Sequence, residues 1–148
     1  MVGGLAARSW PQVEVLLPYA IVGLIFACMG AKRLTLFSRG DETAKGLGLK
    51  VEQTRFMMTA VAALLAAGAV SIAGLIGFVG LVIPHILRLI IGNDYAYLLP
   101  GSALLGAFIL VISDTVGRVV LSPIEIPVGI IMAFFGAPFF LYLLRRDA

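Results

Sequence analysis

FMMTAVAALLAAGAVSIAGLIGFVGLVIPHILRLII, residues 56–91, runs for 36 residues with one charged side chain, Arg88. As a single helix it would be about 54 Å long, against a hydrocarbon layer of about 30 Å. It must therefore hold two segments. Gly74, Gly77 and Gly80, followed by Pro84, mark the break. The spacing predicts a span over 54–73 and a shorter helix over 80–91. Upstream lies a polar stretch, 32–55, and before it VEVLLPYAIVGLIFACMG, a span over 13–30 that stops at Ala31-Lys32-Arg33. Downstream, GNDYAYLLPG reads as a loop, because Gly92-Asn93-Asp94 and Pro100-Gly101 punctuate it. A further crossing follows over 98–119, SPIEIP breaks the chain again, and a last span over 128–144 ends at Arg145-Arg146.

Composition agrees with this pattern. Of 148 residues, 61% are hydrophobic and 13% charged, where a soluble domain carries about a quarter charged; the mean hydropathy is +1.07. The fold class expected is an all-α membrane protein, a polytopic transmembrane helix bundle. Charge placement gives the crossing number. With five crossings the basic loop and the Arg145-Arg146 end share a side. Lys32, Arg33, Arg39, Lys45, Lys50, Arg55, Arg88, Arg145 and Arg146, nine of the 11 basic residues, are then cytoplasmic, leaving Arg8 and Arg118 outside. An odd number puts the N-terminus outside, which suits the second part of a longer protein, and MVGGLAARSW has no basic start followed by an apolar core.

Several function classes drop out. The basic residues cluster in one loop and at the C-terminus, so nucleic acid is not an expected partner. Cys28 is the one cysteine, which excludes an intrachain disulfide and a Cys-based zinc site. No G-x-x-x-x-G-K-[ST] phosphate loop and no Ser/His/Asp set is present, so the chain reads as no enzyme, without cofactor or metal. His85, the one histidine, reads as a structural hydrogen-bonding group. Two stripes of small residues, Thr59, Ala63, Ala67, Ser71 and Gly129, Ala133, Ala137, read as helix-packing faces.

Two regions could carry function. In SRGDETAKGLGLK, residues 38–50, Ser38 is a candidate N-cap, Asp41 and Glu42 suit the positive end of a helix dipole, and Gly48 is a good stop. This describes either a short docking helix or a solvated loop that only sets topology. At the other side, Arg118 follows Asp114 by four residues, so the two share a helix face and can pair. Glu125, in the next loop, is a second candidate partner for Arg118.

Longer motifs add a resemblance. From Asp41 the chain looks like the E-A-A-x-x-x-G signature of ABC importer permeases, with Glu42, Thr43, Ala44 and Gly48 in its places and Thr43 departing from the commonest residue. GLIGFVGLVIPHILRLIIGNDYAYLLPGSALLGAFILVISDTVGRVV and IEIPVGIIMAFFGAPFFLYLLRR strongly resemble the permease family that imports iron-siderophores, haem and cobalamin. The resemblance implies a type II ABC importer permease of the bacterial plasma membrane, ten helices per protomer, of which residues 1–148 would be the second half. It implies a second permease protomer, a cytoplasmic ATP-binding subunit, an extracytoplasmic substrate-binding protein and surrounding lipid as partners. It assigns Asp41, Glu42, Thr43, Ala44 and Gly48 to coupling with the ATPase, and Arg118 with Glu125 to docking of the binding protein. The competing expectation is a small, non-transporting membrane assembly or regulatory subunit, or an inactive truncated permease.

Overall fold

The computed structural model describes residues 3–120 and 122–147. Among them the helices are α1 (Trp10–Phe37), α2 (Asp41–Gly46), α3 (Val51–Ala73), α4 (Val79–Ile91), α5 (Tyr95–Val120) and α6 (Val128–Asp147), with no strand. Four of them, α1, α3, α5 and α6, are long and apolar enough to cross a membrane. The 13 residues of α4 reach only about 20 Å.

Hydrogen bonds fix two ends of the bundle. At one, Gly3 N–H donates to the Leu75 carbonyl, Gly4 N–H to that of Ala73, and Gly129 N–H to that of Gly3. At the other, Tyr95 N–H donates to Thr35 Oγ1. The chain from Gly74 to Ile91 links the first end to the second, a non-helical segment over 74–78 preceding α4. With that traverse the chain passes between the two ends five times. Arg55, Arg88 and the end of α6 lie at the Thr35 end; Arg8 and Arg118 lie at the Gly3 end, around one cavity.

Helix limits depart from the sequence pattern in three places. The first helix runs from Trp10 to Phe37 rather than over 13–30, because Lys32 and Arg33 end the apolar segment without ending the hydrogen-bond ladder. Ser38 does not cap the loop helix. It closes α1, its N–H donating to Leu34 O at 3.1 Å and its hydroxyl to Thr35 O at 2.7 Å, while Gly40 stands at the N-cap of α2. The loop expected over 92–101 is short, since Asp94 starts α5: its Oδ1 accepts Ala96 N–H at 3.0 Å and its carbonyl accepts Leu98 N–H at 2.9 Å. Pro100 sits inside α5 and forgoes a single bond near the helix end.

α1 and α3 form an antiparallel hairpin held by glycines. A Cβ on Gly30 would overlap Met58, one on Gly23 would overlap Leu65, and one on Gly68 would overlap the Tyr19 ring; the Tyr19 hydroxyl donates to the Leu64 carbonyl. The packed face of α3 is therefore Met58, Val61, Leu65 and Gly68. Thr59, Ala63, Ala67 and Ser71 are all exposed, so that stripe is not a packing face within this chain. The Gly129, Ala133, Ala137 stripe does lie on the covered side of α6.

α4, α5 and α6 form a second group. Ile83, Leu87 and Leu98 are its buried core, with Val79, Leu105 and Ile109 packed around them. Gly117 of α5 lies so near the Ile126 carbonyl that a Cβ there would come within 2.8 Å. Among helix pairs, α1 and α5 alone join the hairpin to this group. Large apolar side chains point outward along all four long helices, Trp10, Phe56, Leu104 and Phe134 being at least three-quarters exposed. We expect Gly68→Leu to lower the melting temperature in detergent, an overpacking cost of roughly 1–3 kcal/mol. Gly80→Ala, at a helical position with nothing within 4 Å, is expected to leave it unchanged or raise it; equal losses for both would show that the hairpin seam is not under tight packing.

Candidate functional sites at the two ends of the bundle

The segment between α1 and α3 folds into a knob. Its six-residue helix α2 is too short to persist by its own hydrogen bonds, so other contacts must hold it. Ala44 is 0% exposed and is the anchor. The exit is a Schellman closure: Gly48 takes φ +79°, Gly48 N–H donates to Lys45 O at 2.9 Å, and Leu49 N–H to Ala44 O at 3.2 Å. No atom lies within 4 Å of a Cβ built on Gly48. Glycine is needed here for its backbone angle, not for close approach within this chain.

Asp41 and Arg55 form the third support. Arg55 Nη2 donates to Asp41 Oδ1 at 3.0 Å and Oδ2 at 2.9 Å, tying the start of α2 to α3. Both side chains are half or more exposed, at 50% and 61%, so the pair adds less than about 1 kcal/mol. Thr43 makes a long contact of 3.5 Å to Arg39 O. Glu42 is exposed and has no hydrogen-bond or ion-pair partner among the described residues. The five residues singled out here thus divide by role: Ala44 and Gly48 shape the knob, Asp41 ties it down, and Glu42 and Thr43 face outward.

At the Gly3 end, Arg118 Nε donates to Asp114 Oδ2 at 2.8 Å, one turn apart on α5. The terminal guanidinium nitrogens of Arg118 have no partner among the described residues, and 46% of its side chain is exposed. Glu125 is exposed in the loop before α6 and makes no bond to Arg118; Asp114 holds that side chain instead. Arg118, Asp114 and Glu125 line a cavity of about 220 Å³ together with Arg8 and Pro127. Arg8 was not singled out in the sequence, where it sits in a Gly-rich lead with no motif around it. Its place beside Arg118 depends on Gly3 and Gly4 pinning that lead to the end of α3 and the start of α6.

His85 packs edge-on against Phe139 of α6, 6.2 Å between ring centres, and its imidazole has no hydrogen bond among the described residues. The expected structural hydrogen bond is thus replaced by an aromatic contact. No group of three His, Cys, Asp or Glu residues that could hold a metal ion occurs among the described residues.

The family model of the FecCD transport family matches residues 1–146. The chain belongs to the FecCD transport family. Similar members include an Fe(3+)-citrate import system permease protein of Bacillus subtilis, 45% identical over 100% of this chain and 44% of the relative. A cobalamin import system permease protein of Halobacterium salinarum is 47% identical over 98% of this chain and 39% of its own length. A hemin transport system permease protein of Yersinia pestis is 40% identical over 98% of this chain and 43% of its length. A solved structure described as an inward-facing metal-chelate type ABC transporter superposes with a TM-score of 0.89 at 34% identity, over 98% of this chain and 47% of that one. The FecCD chain described here therefore spans less than half the length of these relatives. It is a multi-pass membrane protein of that family.

Because the Asp41–Arg55 pair is exposed, Arg55→Gln should leave the bundle's melting temperature within a few degrees. Amide exchange over 41–50 should rise by about two- to fivefold, the scale of one exposed ion pair. Unchanged exchange there would show that Ala44 and the Gly48 closure hold the knob without it.

Proposed function

We propose that this chain forms part of the permease of an ATP-driven importer for metal chelates or cobalamin-type substrates, working with a second permease protomer. The remaining length of the relatives would supply the other crossings. The Thr35 end is cytoplasmic on this reading, since it gathers nine of the 11 Lys and Arg residues. The knob over 38–50 is the surface on which a cytoplasmic ATP-binding subunit docks. The observation that carries the reading is its geometry: a short helix closed at Gly48, anchored by Ala44, and presenting Glu42 without a partner among the described residues. A loop serving only to set membrane topology has no need of a buried anchor and a precise closure.

At the other end, the half-exposed guanidinium of Arg118 is the proposed contact for an acidic side chain of an extracytoplasmic binding protein. Asp114 fixes its Nε and leaves its tip available. Glu125 would meet a basic partner side chain at the rim of the same cavity. The pathway wall is drawn from the second group of helices and the segment before it. The amides of Leu75, Ile76, Gly77 and Phe78 have no partner among the described residues. Unpaired backbone at membrane depth is tolerated where protein covers it or water reaches it. Names of relatives that import Fe(3+)-citrate, hemin and cobalamin support a bulky chelate as cargo.

Gly48→Trp tests the cytoplasmic surface. With φ +79° forbidden to a bulky side chain, the closure is lost; capture of the ATP-binding subunit and uptake should both disappear while membrane insertion persists. Normal capture by this variant would remove 38–50 from the docking surface. Arg118→Glu tests the opposite end: affinity for the binding protein should fall at low salt, and the deficit should shrink as salt screens the contact. Equal affinities at low salt would exclude Arg118.

A further inference from the structure

The hairpin α1–α3, with α2 at its tip, meets the group α4–α6 through one helix pair, α1 with α5; α2 touches α1 and α3 alone. Apart from the covalent run 74–78 and the Gly3 bonds at the opposite end, a displacement of the knob reaches α4–α6 through α1. The polar contact at that junction is Thr35, two turns or less from the knob and half-buried. Its Oγ1 accepts the Tyr95 N–H at 3.0 Å. Its single proton has two acceptors within reach, the Ala31 carbonyl of its own helix at 3.2 Å and Asp94 Oδ1 at 3.3 Å. Asp94 in turn caps α5 through Ala96 N–H. Tyr95 is held from the α4 side, its hydroxyl accepting from Arg88 Nη2 at 3.1 Å and its ring lying 5.7 Å beneath the same guanidinium. One hydroxyl thus joins the last turn of α1 to the first turn of α5 and, through Tyr95, to the last turn of α4.

We propose that Thr35 is a positioning residue through which movement of the 38–50 knob is passed to α4 and α5. Apolar side chains along α1 and α5 can slide over each other at little cost, whereas a directed bond fixes their relative height and rotation. The Thr35 proton gives this joint two settings. Donated to Asp94, it couples the helices through two bonds; returned to Ala31, it leaves only the Tyr95 amide. This inference rests on the importer reading above.

The test uses the complete transporter, with its ATP-binding subunit and binding protein, reconstituted in liposomes. Uptake of radiolabelled Fe(3+)-citrate, hemin or cobalamin, whichever the unsubstituted complex accumulates, is measured per ATP hydrolysed. Thr35→Val keeps the shape and removes both hydrogen-bond functions; uptake per ATP should fall about fivefold, the scale of one lost hydrogen bond. Thr35→Ser should restore the ratio to within about twofold, since it keeps the hydroxyl. A residue that merely stabilises the fold would lower uptake and ATP hydrolysis together, so an unchanged ratio in Thr35→Val overturns the proposal. Amide exchange on the unsubstituted complex needs no variant: ATP should alter protection at 94–98 together with 38–50. A response confined to 38–50 would overturn the proposal equally. Absence of ATP-dependent uptake of all three compounds by the unsubstituted transporter would instead overturn the importer reading itself.

Discussion

Two helix groups lie side by side in this protein, and main-chain atoms tie them at one end while a hydroxyl ties them at the other. Within a bilayer, apolar surface gains little by leaving lipid for another helix, so association depends on close packing and on directed bonds. Gly3 supplies such bonds at one end, giving its N–H to Leu75 and accepting from Gly129. It can do so only without a side chain, because a Cβ there would run into the Leu75 carbonyl. Thr35 supplies them at the other end. The space between is filled by apolar contact, and the orientation of hairpin to group is set by these two joints.

The same requirement explains the interrupted crossing. Where the helix stops at Ala73, the carbonyls of Ala73 and Leu75 find the amides of Gly4 and Gly3, so two acceptors at the break are satisfied. Phe78 then enters α4 with φ +66°, a left-handed angle that costs a bulky residue on the order of 1 kcal/mol. Its backbone carbonyl takes the amides of Leu81 and Val82, and its side chain lies against Gly136, where a Cβ would overlap it. The strained turn is thus accommodated by a glycine on a different helix.

Much of this was legible in the sequence, and the limits have physical causes. Apolar runs announce spans because hydrocarbon selects composition directly, and the Gly74, Gly77, Gly80 series announced the break. Helix ends were less legible. Lys32 and Arg33 report where the apolar layer stops, which is not where α1 stops, and Asp94 looked like part of a loop although its side chain starts α5. The small-residue stripe on α3 meets no described helix of this chain; helix periodicity says which residues share a face but not which neighbour that face meets. Gly48 was readable as a helix stop, and its positive φ agrees. The Thr35 joint and the nearness of Arg8 to Arg118 were beyond reach, since each depends on residues distant in the chain meeting through the fold.

The knob is held from behind, by a buried methyl, a glycine closure and an ion pair to α3. The side chains of its outward residues, Glu42 and Lys45 among them, share none of these duties. Substitutions in that row can accumulate without disturbing the helices behind it, so this surface can change its charge and shape while the membrane scaffold stays unaltered.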